Sequence, residues 1–197
     1  MRLIINADDF GLSKSITDGI VDGIKGGYIT STNIMANMPY TKYAVEEALK
    51  NNLKSVGIHI NLTVGKPIIK NPILIDENGV FLYNRKQIEN PYLTYESVYN
   101  EIMAQFDAIN KYSKGEIKIN HITTHHHLGD NKIIKQVIYD IAKKLNLSIR
   151  HEDYCEGFDL KMPDMFYKEF SIKNVNLDCV KSFIDKFSKT NLTIEFL

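Results

Sequence analysis

Apolar runs of strand length alternate along this chain with segments whose apolar residues recur every three or four positions. The runs predict strands near 2–7, 29–35, 55–60, 117–122, 147–150 and 192–196. The three- and four-residue spacing predicts helices near 15–26, 40–52, 95–112, 131–145 and 175–188. In the first of these Ile16, Ile20 and Ile24 share one face, Asp18 and Asp22 point away, and Gly26-Gly27 ends the helix. Strand–helix alternation of this kind implies an α/β protein with a parallel sheet, open or closed into a barrel. No repeat, low-complexity tract or linker divides the sequence, so residues 1–197 read as a single domain. Residues 61–94 are the longest irregular stretch, with Pro67, Pro72, Pro91 and the turn-like Asp76-Glu77-Asn78-Gly79, and 151–168 is a second. Loops of that length are more often functional than idle, and covering an active site is one such use.

Composition narrows the field. Lys plus Arg and Asp plus Glu each number 24, so the formal net charge is zero and nothing electrostatic invites nucleic acid or an anionic membrane. No apolar segment approaches membrane-spanning length, and the N-terminus does not read as a secretory signal. Cys155 and Cys179 lack close spacing and fit reduced thiols of a cytoplasmic protein, with one disulfide between them left open.

The candidate chemistry begins at Leu3-Ile4-Ile5-Asn6-Ala7-Asp8-Asp9-Phe10-Gly11, where a buried-strand pattern delivers two adjacent carboxylates and stops at a glycine. Neighbouring strand residues point to opposite faces, so a turning strand tip is where both acids can serve one cavity. Two close carboxylates repel, and a metal ion is the usual counter-charge. His59 in Gly57-Ile58-His59 and His125 in His121-Ile122-Thr123-Thr124-His125-His126-His127 supply imidazoles, again at predicted strand ends. In parallel α/β folds that edge gathers ligands and catalytic groups. One carboxylate and two imidazoles leave coordination positions open, as a catalytic rather than a structural site requires. Each piece alone has a plainer explanation: a helix cap for Asp8-Asp9, a half-buried core position for His59, a solvated loop for the histidine run.

Several segments together resemble the YdjC-like family of carbohydrate deacetylases. They are Asn6-Ala7-Asp8-Asp9-Phe10-Gly11-Leu12-Ser13, Gly27-Tyr28-Ile29-Thr30-Ser31-Thr32, Met35-Ala36-Asn37-Met38-Pro39, Gly57-Ile58-His59-Ile60-Asn61-Leu62-Thr63 with Gly65-Lys66-Pro67, and His121 to His127. The match runs in order over 1–150 and weakens beyond. The resemblance implies an irregular (β/α) barrel and one divalent metal ion, Mg2+ or Zn2+, held by Asp9, His59 and His125. It further implies Asp8 as general base and a small N-acetylated carbohydrate as substrate. Three positions depart from the family pattern. Thr123 stands where the family has an aspartate before the ligating histidine, and Gly129 where it has a further histidine. A Cys-His-Pro-Gly element, whose histidine serves as general acid, is expected after a strand like Leu192–Phe196 and does not follow. The sequence-based expectation is therefore a barrel incomplete on its C-terminal side, with His127 as the acid. An unclosed parallel sheet exposes edge strands, which favours self-association into a homodimer.

Other residues carry weaker signals. Arg150 ends a predicted strand and Lys66 follows the His59 strand, and both are candidates for contacting substrate. Phe81, Tyr83, Tyr92 and Tyr95 lie in or beside the long loop, where aromatic faces suit stacking on sugar rings or a local apolar staple. His121 reads as a core histidine, and His126 points away from the metal if the segment is extended. Two other readings stay open: a different metal hydrolase on the same barrel, acting on a phosphoester or another amide, and a catalytically impaired sugar- or metal-binding relative.

Overall fold

A computed structural model describes residues 1–168 and 176–197. Its strands are β1 (Arg2–Phe10), β2 (Ser31–Ile34), β3 (Val56–Ile60), β4 (His121–Thr124), β5 (Ser148–Ile149), β6 (Met165–Tyr167) and β7 (Thr193–Phe196). All pair in parallel, in the spatial order β5-β4-β3-β2-β1-β7-β6, and the sheet curls into a half-barrel. The connecting helices are α1 (Lys14–Lys25), α2 (Thr41–Lys50), α3 (Arg85–Ile88), α4 (Tyr95–Ser113), α5 (Lys132–Leu145) and α6 (Leu177–Phe187). No helix among the described residues is long and apolar enough to cross a membrane.

Local chemistry explains the boundaries. Ser13 caps α1 by accepting from Ile16 N, and Thr94 and Ser97 form a reciprocal capping box at α4. Asn131 caps α5 by accepting from Ile133 N and Ile134 N. The buried stripe of α1 is Thr17, Ile20 and Val21, with Ile24 packed beside it. Ile16 therefore sits at the exposed margin rather than in the stripe, a one-residue rotation from the predicted face. Every residue of β2 and β3 is buried, as expected for central strands of a parallel sheet.

The main core joins Ile34, Ile58, Ile60 and Ile122 of the strands to Val45, Ile102, Ile109 and Ile138 of the helices. A smaller cluster, Tyr167, Phe183, Phe187, Ile194 and Phe196, holds α6 against β6 and β7. Three departures from the sequence-based expectation stand out. β1 extends through both acids to Phe10, and β4 begins only at His121 although a strand was expected from 117. β6 and α3 were not expected at all, because three- and four-residue elements are too short to show a period. Residue 175, inside the last expected helix, lies outside the described residues.

Candidate metal centre

Asp9, His59 and His125 converge from three chain segments, their donor atoms all within 4.8 Å of one another. Asp9 lies near the tip of β1 with φ at 66°, and the β1–β2 register slips between Ala7 and Phe10. An aspartate tolerates this left-handed conformation better than most residues. The kink turns Asp9 toward the site instead of leaving it on the face opposite Asp8. His59 comes from the fully buried β3, and His125 follows β4 directly, its amide donating to Ile60 O at 2.9 Å.

The distances fit a shared ion. His125 Nδ1 and His59 Nε2 lie 3.1 and 3.3 Å from Asp9 Oδ1. Two ligand atoms about 2.1 Å from one ion stand about 3.0–3.4 Å apart at octahedral or tetrahedral angles. Asp9 Oδ1 is buried, yet it has no hydrogen-bond partner of acceptable geometry. A buried carboxylate oxygen facing two imidazoles without a hydrogen bond is what a cation would satisfy. Burial pushes the Asp9 carboxyl up, but the facing His125 and His59 rings pull it well below the usual carboxylate range.

His59 is oriented by Thr123. Its Nδ1 lies 2.7 Å from Thr123 Oγ1 in buried surroundings, and the two residues are register partners across β3 and β4. The loop behind His59 is tied down as well: Gln105 of α4 donates to Asn61 O at 2.7 Å and accepts from Asn61 N at 3.2 Å. Glu101, one turn earlier, accepts from Ile68 N and Ile69 N.

Asp8 is held by a different set. Arg150 donates to both of its oxygens, at 2.8 Å to Oδ2 and 3.0 Å to Oδ1, while Asn6 and Asn33 donate to Oδ1 at 2.8 and 2.6 Å. Burial alone would raise the Asp8 carboxyl. The charges of His59 and Arg150, with hydrogen bonds from Arg150 and Asn33, outweigh it and hold the acid at about 2. Glu195 of β7 accepts from Arg150 Nε and Nη2 at 2.8 and 2.6 Å, and the Arg150 guanidinium lies over the Phe166 ring of β6. Arg150 is only 2 % exposed, and of the two partners its strand-end position offered, a sugar hydroxyl or a carboxylate, the structure shows carboxylates, those of Asp8 and Glu195.

The remaining expected residues fall around this centre. His127 is more than half exposed and pairs through Nδ1 with Glu152 at 2.7 Å, a bond that raises its pKa. His126 and His127 both have positive φ, so the run turns after His125 and the extended geometry assumed for His126 does not hold. The His126 ring lies tilted by 33° against that of His125, centroids 4.0 Å apart, and its Nδ1 meets Thr63 Oγ1. Lys66 is exposed, and it is its backbone carbonyl that is held, by Asn37 Nδ2. At Gly129 the Tyr154 ring occupies the space a side chain would need. His121 is partly buried between Asn120 and Ser31. It lines a cavity of about 620 Å³ at the N-terminal strand ends with Ser31, Asn120, Arg150 and Glu195. None of the three candidate donors lines that cavity, and the candidate metal centre lies at the opposite strand ends.

Sequence reasoning missed Glu195, Asn6, Asn33 and Glu152. A polar residue alternating with apolar ones inside a strand, as in Thr193-Ile194-Glu195-Phe196, is the signal that marks a polar barrel interior.

A family model described as YdjC-like protein matches residues 2–196. A carbohydrate deacetylase of Clostridium beijerinckii is 43% identical over 152 residues, covering 77% of this chain and 60% of that relative's length. A carbohydrate deacetylase of Listeria monocytogenes is 34% identical over 200 residues, covering 100% of this chain and 80% of the relative. Among solved structures, a candidate cellobiose-phosphate cleavage protein of Enterococcus faecalis superposes with a TM-score of 0.89 at 31% identity. That match covers 99% of this chain and 79% of that one. A peptidoglycan deacetylase of Bacillus subtilis shares the fold alone, with a TM-score of 0.51 at 14% identity over 98% of this chain and 73% of its own.

Proposed function

Because the chain belongs to the YdjC-like protein family, we propose that it is a metal-dependent hydrolase removing acetyl groups from N-acetylated amino sugars or short oligosaccharides. The observation that carries this reading is the buried, unpartnered Asp9 Oδ1 facing two imidazoles. The relatives named carbohydrate deacetylase support the substrate class.

Asp9, His59 and His125 would hold the ion, and two imidazoles with one carboxylate favour zinc or another transition metal over magnesium. When bound, such an ion acidifies water and stabilises negative charge on a carbonyl oxygen. The rest of the chemistry belongs to the chain. Asp8, kept ionised by Arg150, Asn6 and Asn33, accepts the proton that water loses as its oxygen attacks the acetyl carbon. Arg150 and Glu195 fix the carboxylate's direction rather than touching substrate. The C–N bond then breaks and the departing amine takes a proton, a role we assign to His127, whose Nδ1 pairs with Glu152. Acetate and the free amino sugar are the products.

A second reading follows from the Enterococcus faecalis neighbour, whose description concerns a phosphorylated disaccharide. Phosphate capture needs free cations, and here Arg150 is committed to two carboxylates and Lys14 pairs with Asp18, which leaves exposed Lys66 as the single candidate of the three. Incubation with zinc, manganese or magnesium and N-acetylated chitobiose, followed by an acetate assay, decides between them. Metal-dependent acetate release supports the proposal. Phosphate release from a disaccharide phosphate without deacetylation would favour the second reading, and binding without turnover an impaired relative.

A further inference from the structure

Tyr83 is 64% exposed, on the long loop between β3 and α4, and the backbone after it is tied down. It immediately precedes the α3 turn, whose residue Lys86 donates to Tyr83 O at 3.1 Å. That turn is anchored by the fully buried Gln87, which donates to Leu62 O at 2.8 Å and to Leu74 O at 3.1 Å. A further anchor runs from Asn131 at the start of α5 to Ile88 O at 2.8 Å. The chain thus fixes the base of a side chain that it leaves uncovered.

The ring also reaches the histidine run. Tyr83 meets His126 in a T-shaped contact, centroids 5.4 Å apart, and the His126 ring lies tilted against that of the candidate ligand His125 at 4.0 Å. His126 is kept in that position by Thr63 and by its own left-handed backbone. Tyr83 therefore lies two ring contacts from His125, on the rim of the site. Tyr92 is more exposed, at 76%, and among the described residues no ring contact joins it to His126 or His125.

A rigid, exposed aromatic ring beside a carbohydrate site offers its face to the C–H surface of a pyranose. At two rings' remove from His125 it is too far out to hold the sugar being deacetylated and is placed for the neighbouring one. We infer that Tyr83 stacks on the sugar unit adjoining the reactive one and gives the site its preference for an oligosaccharide over a single N-acetylated sugar. The inference rests on the deacetylase reading for its substrate class.

The test compares wild type, Tyr83→Ala and Tyr83→Phe in the zinc-loaded protein, with N-acetylglucosamine and N-acetylated chitobiose. Acetate release gives KM and kcat, and calorimetric titration with chitobiose gives affinity independently of turnover. Tyr83→Ala should weaken binding of the disaccharide roughly three- to tenfold through KM, leave kcat within about twofold and leave the monosaccharide unchanged. Tyr83→Phe should match wild type, because the ring and not the hydroxyl makes the contact. Equal effects on both sugars, or no effect on either, would overturn the inference. Absence of acetate from wild type with disaccharide binding still lost in Tyr83→Ala would sink the deacetylase reading while keeping the stacking role. Absence of any sugar binding by wild type would end both.

Discussion

The Nδ1 atom of His59 meets the Thr123 hydroxyl at 2.7 Å because β3 and β4 bring these residues into register. The His59 ring presents Nε2 to Asp9, so Nδ1 is the nitrogen that Thr123 fixes. A hydroxyl there supplies an acceptor without the negative charge a carboxylate would bring, which sets the direction of the ring without raising its basicity as much. The consequence is measurable. Thr123→Val, of similar shape but without the oxygen, should weaken zinc binding by about ten- to a hundredfold with the far-ultraviolet spectrum unchanged. Thr123→Ser should retain most of the affinity. Competition titration with a zinc chelator reads both, and equal affinities for Val and Ser would remove the role assigned to the hydroxyl.

Loss of a donor itself should cost more. His59→Ala or His125→Ala leaves two protein ligands, and zinc affinity should fall by more than about a hundredfold without unfolding. Elemental analysis after gel filtration checks this. One ion per chain remaining in His125→Ala would move the third ligand to another residue.

Asp8 and Asp9 should separate by phenotype. Asp8→Asn keeps the shape and removes the proton acceptor, so acetate release should fall by about a hundred- to ten-thousand-fold while the ion stays bound. Asp9→Asn should lose the ion. The opposite pairing of results would exchange the two acids.

The interior ion network carries a stability cost when broken from its middle. Arg150→Leu leaves Asp8 and Glu195 buried as like charges, and urea unfolding should show a loss of about 3–5 kcal/mol. Arg150→Leu combined with Asp8→Asn and Glu195→Gln should recover part of that loss. A single variant as stable as wild type would show that the pairs are not coupled to folding.

His121 should make the fold sensitive to mild acid. Burial, then the Arg150 charge, lower its pKa from 6.5 to about 4, so the folded state favours the neutral ring. A depressed folded value means that the stabilisation is fully present above pH 6.5 and is lost as pH falls toward 4. Relative to His121→Gln, wild type should lose about 1–3 kcal/mol across that window. Parallel pH profiles of the two proteins in urea titrations would contradict this.

The parts of this site that were legible in the sequence are those that end a strand. Asp9, His59 and His125 each follow an apolar run, and a parallel sheet gathers such ends on one edge. The partnership of Arg150 with Glu195 spans 45 positions and depends on which strands flank β1, which no local pattern encodes. Thr123 was visible as a substitution in the histidine segment, but its contact is with His59, fixed by a register that period and composition do not carry. The turn at His126 and His127 was hidden because neither residue is one that favours positive φ as strongly as glycine does.

β1 precedes the other six described strands in the chain, yet it lies in the interior of the sheet, between β2 and β7. Vectorial synthesis therefore splits the assembly of the site into two events. The three donors have all been joined to the chain by residue 125, and β2, β3 and β4 can align beside β1 from that point. The guanidinium that clamps Asp8 arrives 25 residues later, and its second carboxylate partner only with β7. Until then one edge of β1 is bare and Asp8 has no cation in front of it. The three candidate donors can thus come together before the clamp on Asp8 exists, and the acid beside them is fixed only after β7 has joined the sheet.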